Sequence, residues 1–208
     1  LPAPEERCEK KEKLDPRIVR TRRDLVESMR TLLSEKSFTR ISVQEITERA
    51  LINRATFYAH FEDKFHLLQY MLRESFEEKV LPRVHFCDGI SKGNLHTLTV
   101  ATCEFLAEFN DLYAPKHSND HPPIERLIQP LILQILMVWF EISDGETAVK
   151  QPAEKKAITL SWAIFGSALQ WSRSGRTETA EKQSELIVDL LLSGVNVNGK
   201  REIASSEQ

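Results

Sequence analysis

Residues 41–64 read ISVQEITERALINRATFYAHFEDK, and the helix starts inside this stretch decide the fold. Ser42-Val43-Gln44-Glu45 has the S-x-x-E form of a capping box, in which the serine hydroxyl and the glutamate carboxylate each satisfy the other residue's backbone N–H. Val43, Ile46 and Ala50 add a short apolar stripe, so a helix of only about two turns is expected here. After Leu51-Ile52, Asn53 can cap a second short helix over 54–60, and Asp63 can cap a third that runs towards Pro82. Two short helices joined by a turn of three or four residues describe a helix-turn-helix unit.

Working outward, Asp15-Pro16 is itself a helix start, since Asp caps free N–H groups and Pro suits the first helical position. From there Ile18, Leu25, Met29, Leu32 and Leu33 keep to one face as far as Lys36-Ser37. Residues 15–62 thus form a three-helix domain, with the motif at about 41–60. In the helix after Asp63, Phe65, Leu68, Leu72 and Phe76 recur at helical spacing. The run from Cys87 to Asn94 is turn-rich, and helical stretches near 95–112, 123–142, 152–174 and 178–194 follow, parted by Pro, Gly and Asp. Strictly alternating apolar runs are scarce, which argues against a sheet. The expected fold class is all-α: the helix-turn-helix domain, then a second helical domain over 63–195, with polar tails at 1–14 and 196–208.

Composition narrows the function. A chain of 208 residues with 41% hydrophobic and 28% charged residues is that of an ordinary globular protein. The longest apolar run, Leu131 to Phe140, falls short of the roughly 18 to 20 residues of a membrane span, and the first residues do not read as a secretory signal. No membrane partner is expected. Cys8, Cys87 and Cys103 form no CxxC, which suits a reducing cytoplasm. His85-Phe86-Cys87-Asp88 and the pair His117 and His121 offer metal ligands, but no HExxH or CxxC spacing organises them, so neither metal nor cofactor is expected. With no GxSxG and no P-loop, enzymatic activity is not expected either. The net charge of −3 hides an asymmetry: residues 10–64 hold 13 Lys/Arg against 9 Asp/Glu, a net of +4, which leaves −7 elsewhere. A basic segment on an acidic body is what an electrostatic footprint on nucleic acid requires.

Side chains of the second short helix fit that partner. Phe57 and Phe61 are four apart and share a face that can anchor the helix to the core. Arg54 and Tyr58, also four apart, occupy the remaining surface with Ala55, Thr56 and His60. A guanidinium bonds guanine bidentately, small methyl groups meet thymine, and hydroxyl and imidazole groups donate to phosphate. Lys64 in the first turn of the next helix opposes the macrodipole at a cost of roughly 0.3 to 1 kcal/mol, which hints at a phosphate partner. Each residue also has a structural explanation: Tyr58 as a half-buried packing residue, His60 as a solvated helix end, Arg54 as a partner for Glu62. The run Arg17, Arg20, Arg22, Arg23 reads equally as a phosphate or minor-groove contact and as solvated helix surface.

From Arg17 to Leu68, and above all in Ile41-Ser-Val-Gln-Glu-Ile46, Arg49-Ala50, Thr56-Phe-Tyr-Ala-His-Phe61, Lys64 and Leu67-Leu68, the chain resembles the DNA-binding domain of the TetR/AcrR family of regulators. The resemblance implies a DNA-facing strip of Val43, Gln44, Arg54, Ala55, Thr56, Tyr58, His60 and Lys64. In that strip Arg54 and Ala55 face bases, and Tyr58, His60 and Lys64 hold phosphates. Leu51 stands where family members usually carry glycine in the turn. The resemblance further implies a homodimer on double-stranded operator DNA, located in the cytoplasm and on the nucleoid when bound. It also implies a repressor released by a small apolar or aromatic effector, and the alternative is a regulator or architectural protein with no effector. The effector pocket is expected from Tyr70, Phe105, Phe109, Leu133, Met137 and Trp162. The stretch Trp162 to Trp171 resembles the family's penultimate helix, and its Gly166, Ser167 and Ala168 let another helix approach closely. The dimer interface is expected from Gly166, Ala168, Leu169, Ile187, Leu190 and Leu191.

Overall fold

A computed structural model describes residues 15–113, 122–144 and 150–193, all of them in helices, turns or irregular backbone. The expected tails 1–14 and 196–208, with Cys8, His117 and His121, lie outside the described residues. Helix α1 spans Pro16–Glu35, and Asp15 caps it by accepting from the Arg17 N–H at 2.8 Å. A short 3-10 turn, Phe38–Arg40, leads to α2, Val43–Ala50, whose capping box is complete. There Ser42 Oγ accepts from the Glu45 N–H at 3.2 Å, and the Ser42 N–H donates to Glu45 Oε2 at 2.9 Å. Helix α3, Arg54–His60, is capped by Asn53, and α4, Lys64–Lys79, by Asp63, each through its side-chain oxygen. Leu25 and Met29 of α1, Ile46 of α2, Phe57 of α3 and Leu67 and Leu68 of α4 form the solvent-free centre of this domain. Phe65 departs from the expected stripe. It lies half-exposed in the first turn of α4, edge-on to Phe38 with ring centroids 4.9 Å apart, and the inward face runs through Leu67, Leu68, Met71, Leu72 and Phe76.

Helix α4 also belongs to the second domain, touching α5 and α6 as well as α1. The body holds α5 (Lys92–Tyr113), α6 (Glu125–Asp144), α7 (Lys150–Arg173) and α8 (Ala180–Ser193). Helix α5 is central, packing on α7 and α8 and more lightly on α1 and α4, so it is apolar on more than one face. Its buried Thr99 and Thr102 hydroxyls donate to their own helix at the Leu95 and Leu98 carbonyls, both at 2.7 Å, so neither hydroxyl is buried unpaired. The segment Glu125–Ser143 of α6 is long and apolar enough to cross a membrane, contrary to the reading of its longest uninterrupted run. Here it is a core helix: Ile128, Ile132, Ile135, Leu136 and Trp139 are sealed from solvent, and α6 packs against α4 and α7. Pro130 sits on its exposed side, where water can satisfy the carbonyl that the missing N–H leaves free. The loop before α5 is fixed by side chains, since Trp139 Nε1 donates to the His85 carbonyl at 3.0 Å and Asn94 Nδ2 to the Gly89 carbonyl at 2.8 Å. Gly89 has φ +60°, and a β-carbon there would lie 2.4 Å from Ser143 Oγ, so only glycine fits.

Candidate nucleic-acid interface

Helix α2 ends at Leu51, which adopts the left-handed conformation with φ 55° and ψ 38°. The Leu51 N–H donates to the Glu48 carbonyl and the Ile52 N–H to the Thr47 carbonyl, which closes α2 and swings the chain into α3. The geometry that glycine usually supplies is thus kept by a leucine whose side chain is 93% exposed and packs on almost nothing. Below the turn, Phe57 and Phe61 fix α3 to the core, with ring centroids 5.9 Å apart and Phe61 edge-on to Tyr70 at 5.5 Å. Burying that face turns the other outward. Arg54, Ala55, Tyr58 and Ala59 are exposed, and Thr56 and His60 are half-buried beside them. Tyr58 is 52% exposed, its ring resting edge-on against Phe57, so a packing role uses only part of it. Among the described residues Arg54 forms no ion pair, with Glu62 or any other acid.

The first helix of the motif, α2, is held by charge to the end of α1. Arg49 donates bidentately to the Glu35 carboxylate at 2.7 and 2.9 Å, and Lys36 pairs with Glu45. The Lys36 ammonium, with the Ser42 N–H and hydroxyl behind it, holds the Glu45 carboxyl down at about 2. At the start of α2, Gln44 is exposed and donates to Glu48 at 2.8 Å, and Val43 is half-buried. Arg40, exposed in the 3-10 turn, adds a cation on this side that the reading of the sequence did not single out.

Lys64 is used differently from the expected phosphate contact. Its Nζ donates to the carbonyls of Phe38 at 3.0 Å, Thr39 at 3.1 Å and Ile41 at 2.7 Å, and it stands 4.8 Å over the Phe38 ring. The three carbonyls cluster at the C-terminal end of the 3-10 turn, where the Phe38 carbonyl also accepts from the Ile41 N–H at 3.1 Å, so a cation is favourable there. Lys64 braces the start of α4 against the segment that leads into α2. The basic run of α1 divides likewise. Arg17, Arg20 and Arg23 are exposed, whereas Arg22 is half-buried with its guanidinium 5.5 Å from the Tyr70 ring centroid.

The six residues expected to line an effector pocket do not gather. Tyr70 is packed between Arg22 and Phe61 at the base of the first domain. Leu133 and Met137 lie partly buried on α6, and Trp162 is 52% exposed on α7, edge-on to Phe165. Phe105 and Phe109 alone of the six share a cleft, which opens to solvent between α1, α4 and α5. Helical spacing tells which residues are apolar but not which of several apolar faces in one body they join. The interface set splits for the same reason. Gly166 has open space about it and Leu190 is 55% exposed, and Leu169 and Leu191 are partly covered. Ala168 and Ile187, however, point into their own protomer and are buried there. Trp162 on α7 and Leu186 on α8, the latter 60% exposed, are further apolar side chains left open to solvent.

Comparison with known proteins agrees with this architecture. The family described as bacterial regulatory proteins, tetR family, matches residues 25–71. An uncharacterized HTH-type transcriptional regulator, YxbF of Bacillus subtilis (strain 168), is 42% identical over 71 residues, which are 34% of this chain and 19% of that protein. The match therefore spans about a fifth of that relative's length. A TetR transcriptional regulator from Rhodococcus sp. RHA1 superposes with a TM-score of 0.57 at 19% identity, covering 85% of this chain and 98% of the other. A TetR variant from Acinetobacter baumannii AYE in complex with minocycline gives 0.56 at 16% identity, covering 88% and 96%. At such identities the structural likeness speaks for the fold, and the sequence match for the first domain. Residues 25–71 thus match the tetR family of bacterial regulatory proteins, and the described chain has the all-helical fold of the TetR regulators on which it superposes.

Proposed function

We propose that this protein is a one-component transcriptional regulator that binds double-stranded operator DNA through α3 as a homodimer, and that a small molecule releases it. The observation that carries the reading is the division of α3. Phe57 and Phe61 lock one face into the core, and Arg54, Ala55 and Tyr58 stand free on the other, with Thr56 and His60 at its edges. In the major groove Arg54 bonds the O6 and N7 of a guanine and Ala55 meets a thymine methyl, and Tyr58, His60 and Gln44 bond phosphates. The exposed faces of α7 and α8 pair with those of a second copy in a four-helix arrangement, which sets two α3 helices on one duplex. For B-form DNA their separation is roughly 34 to 36 Å. Repression follows where the operator overlaps a promoter. A protein of this fold is in complex with minocycline, which supports a body that receives small molecules. A regulator with no effector differs in one measurable respect: no small molecule changes its affinity for DNA.

The test is a titration of duplex fragments from the source genome at two salt concentrations. Phosphate contacts impose a linear fall of log affinity with log salt, at a slope of about −0.9 per contact. Binding without such a slope, or none at all, refutes the reading.

A further inference from the structure

We infer that the cleft between α1, α4 and α5 is a binding site for an amphipathic monocarboxylate, and that this interdomain cleft receives the effector. The inference deepens the proposed function by naming the site and the ligand class. Its floor is apolar, made by Met71 and Leu72 of α4 and by Phe105 and Phe109 of α5, and exposed Leu112 stands at the mouth. The polar groups on the wall are almost all donors: the Arg30 guanidinium, the Ser75 hydroxyl, the Lys79 ammonium and the Tyr113 hydroxyl. Burial raises the Tyr113 phenol above its ordinary value, so it keeps its proton and stays a donor. Glu108 is the one acceptor side chain with charge, and it is already paired to Lys79.

The ligand's sign follows from Arg30. Its Nη2 donates to Ser75 Oγ at 3.2 Å, and among the described residues no carboxylate lies within ion-pair reach of it. A half-buried guanidinium held by one neutral hydroxyl has four N–H groups left for an acceptor, and carboxylate is the group its planar fork fits. The Lys79–Glu108 pair at the rim is solvent-exposed and therefore weak, so a ligand carboxylate can compete for the ammonium. An alkyl or aryl tail then takes the phenylalanine floor. A cation finds only the paired Glu108, and an uncharged alcohol leaves Arg30 as it was.

Position links this site to DNA. Arg30 belongs to α1 of the DNA-binding domain, Ser75 to α4, and the floor to α4 together with α5 of the body. A ligand that takes Arg30 from Ser75 removes the hydrogen bond joining α1 to α4, and so changes how the first domain is held. The energetic coupling equals the ligand's preference for one of the two arrangements.

The experiment uses the full chain without DNA and titrates octanoate, 1-octanol and octylammonium by equilibrium dialysis. Octanoate binds one per protomer, and the other two bind at least about tenfold more weakly, the factor expected for a charge-assisted hydrogen bond in a partly exposed site. Arg30→Met loses the preference for octanoate over octanol. Leu112→Asp, a change at an exposed residue of the mouth that leaves folding intact, lowers octanoate affinity by a similar factor. Octanol or octylammonium binding as well as octanoate, or octanoate binding unmoved by Leu112→Asp, overturns the assignment. DNA is absent from these titrations, so a chain that binds octanoate but no duplex fails the regulator reading alone, and one that binds duplex but no octanoate fails this inference alone.

Discussion

Replacing Leu51 by glycine should make the protein more stable, although it deletes a large apolar side chain. At φ 55° and ψ 38° the β-carbon of an L-residue crowds the following carbonyl, at a cost of about 1 to 2 kcal/mol. Glycine removes that cost and returns about 0.4 to 1 kcal/mol through the greater freedom of its unfolded chain. Little packing is lost, because the side chain is 93% exposed. The balance is a gain of about 0.5 to 1 kcal/mol. In urea, with a slope of about 2 kcal/mol/M, the midpoint should rise by about 0.2 to 0.5 M at unchanged slope and fixed protein concentration. Leu51→Ala is the control, since it trims the same side chain but keeps the β-carbon, and its midpoint should stay close to that of the parent. An alanine variant as stabilised as the glycine variant, or a glycine variant less stable than the parent, would refute the reasoning that backbone strain sits in this turn.

Lys64→Met should lower stability by about 1 to 3 kcal/mol in urea unfolding, because the carbonyls of Phe38, Thr39 and Ile41 lose their shared donor; a loss confined to DNA affinity and its salt slope would restore the phosphate role. Glu45 titrates lower in the folded protein, at about 2 against an ordinary 4.5, so its contribution to stability is complete above about pH 4.5 and disappears as pH falls towards 2. Across that window the stability of Glu45→Gln should fall less steeply with acid than that of the parent, and parallel curves would contradict the assigned partners. Trp162→Glu and Leu190→Glu, on the outer face of α7 and α8, should each convert dimers to monomers in sedimentation while the helical signal in circular dichroism stays unchanged. Dimers that survive both changes would place the interface elsewhere.

The helices were legible because their ends are written locally. Asp15, Ser42 with Glu45, Asn53 and Asp63 each bond the N–H groups that the spacing assigned to them, and the motif closes as a result. Phe57 and Phe61 were legible too, since two aromatics four apart on so short a helix leave one face to bury. Lys64 was not, because its partners are 23 to 26 residues away in the chain and no local pattern marks the ends of a 3-10 turn as acceptors. The same limit explains Tyr70, Trp162, Ala168 and Ile187. Each lies on an apolar stripe, but whether a stripe faces its own core, a cleft or a second copy is decided by how four long helices pack, which periodicity does not encode. Arg30 went unread for a related reason, since its importance lies in what it lacks as a partner in space.

The central claim is that two copies of α3 read one duplex through the face that carries Arg54, and selection of bound DNA from a random pool tests it most directly. The account predicts an enriched inverted repeat whose half-sites are centred about 10 to 10.5 base pairs, or a multiple of that, apart. With Arg54→Ala the same repeat should return with its preference relaxed at one base pair per half-site, by about 1 to 3 kcal/mol. A pool with no enriched sequence, an asymmetric site, or a preference that Arg54→Ala leaves unchanged would contradict it.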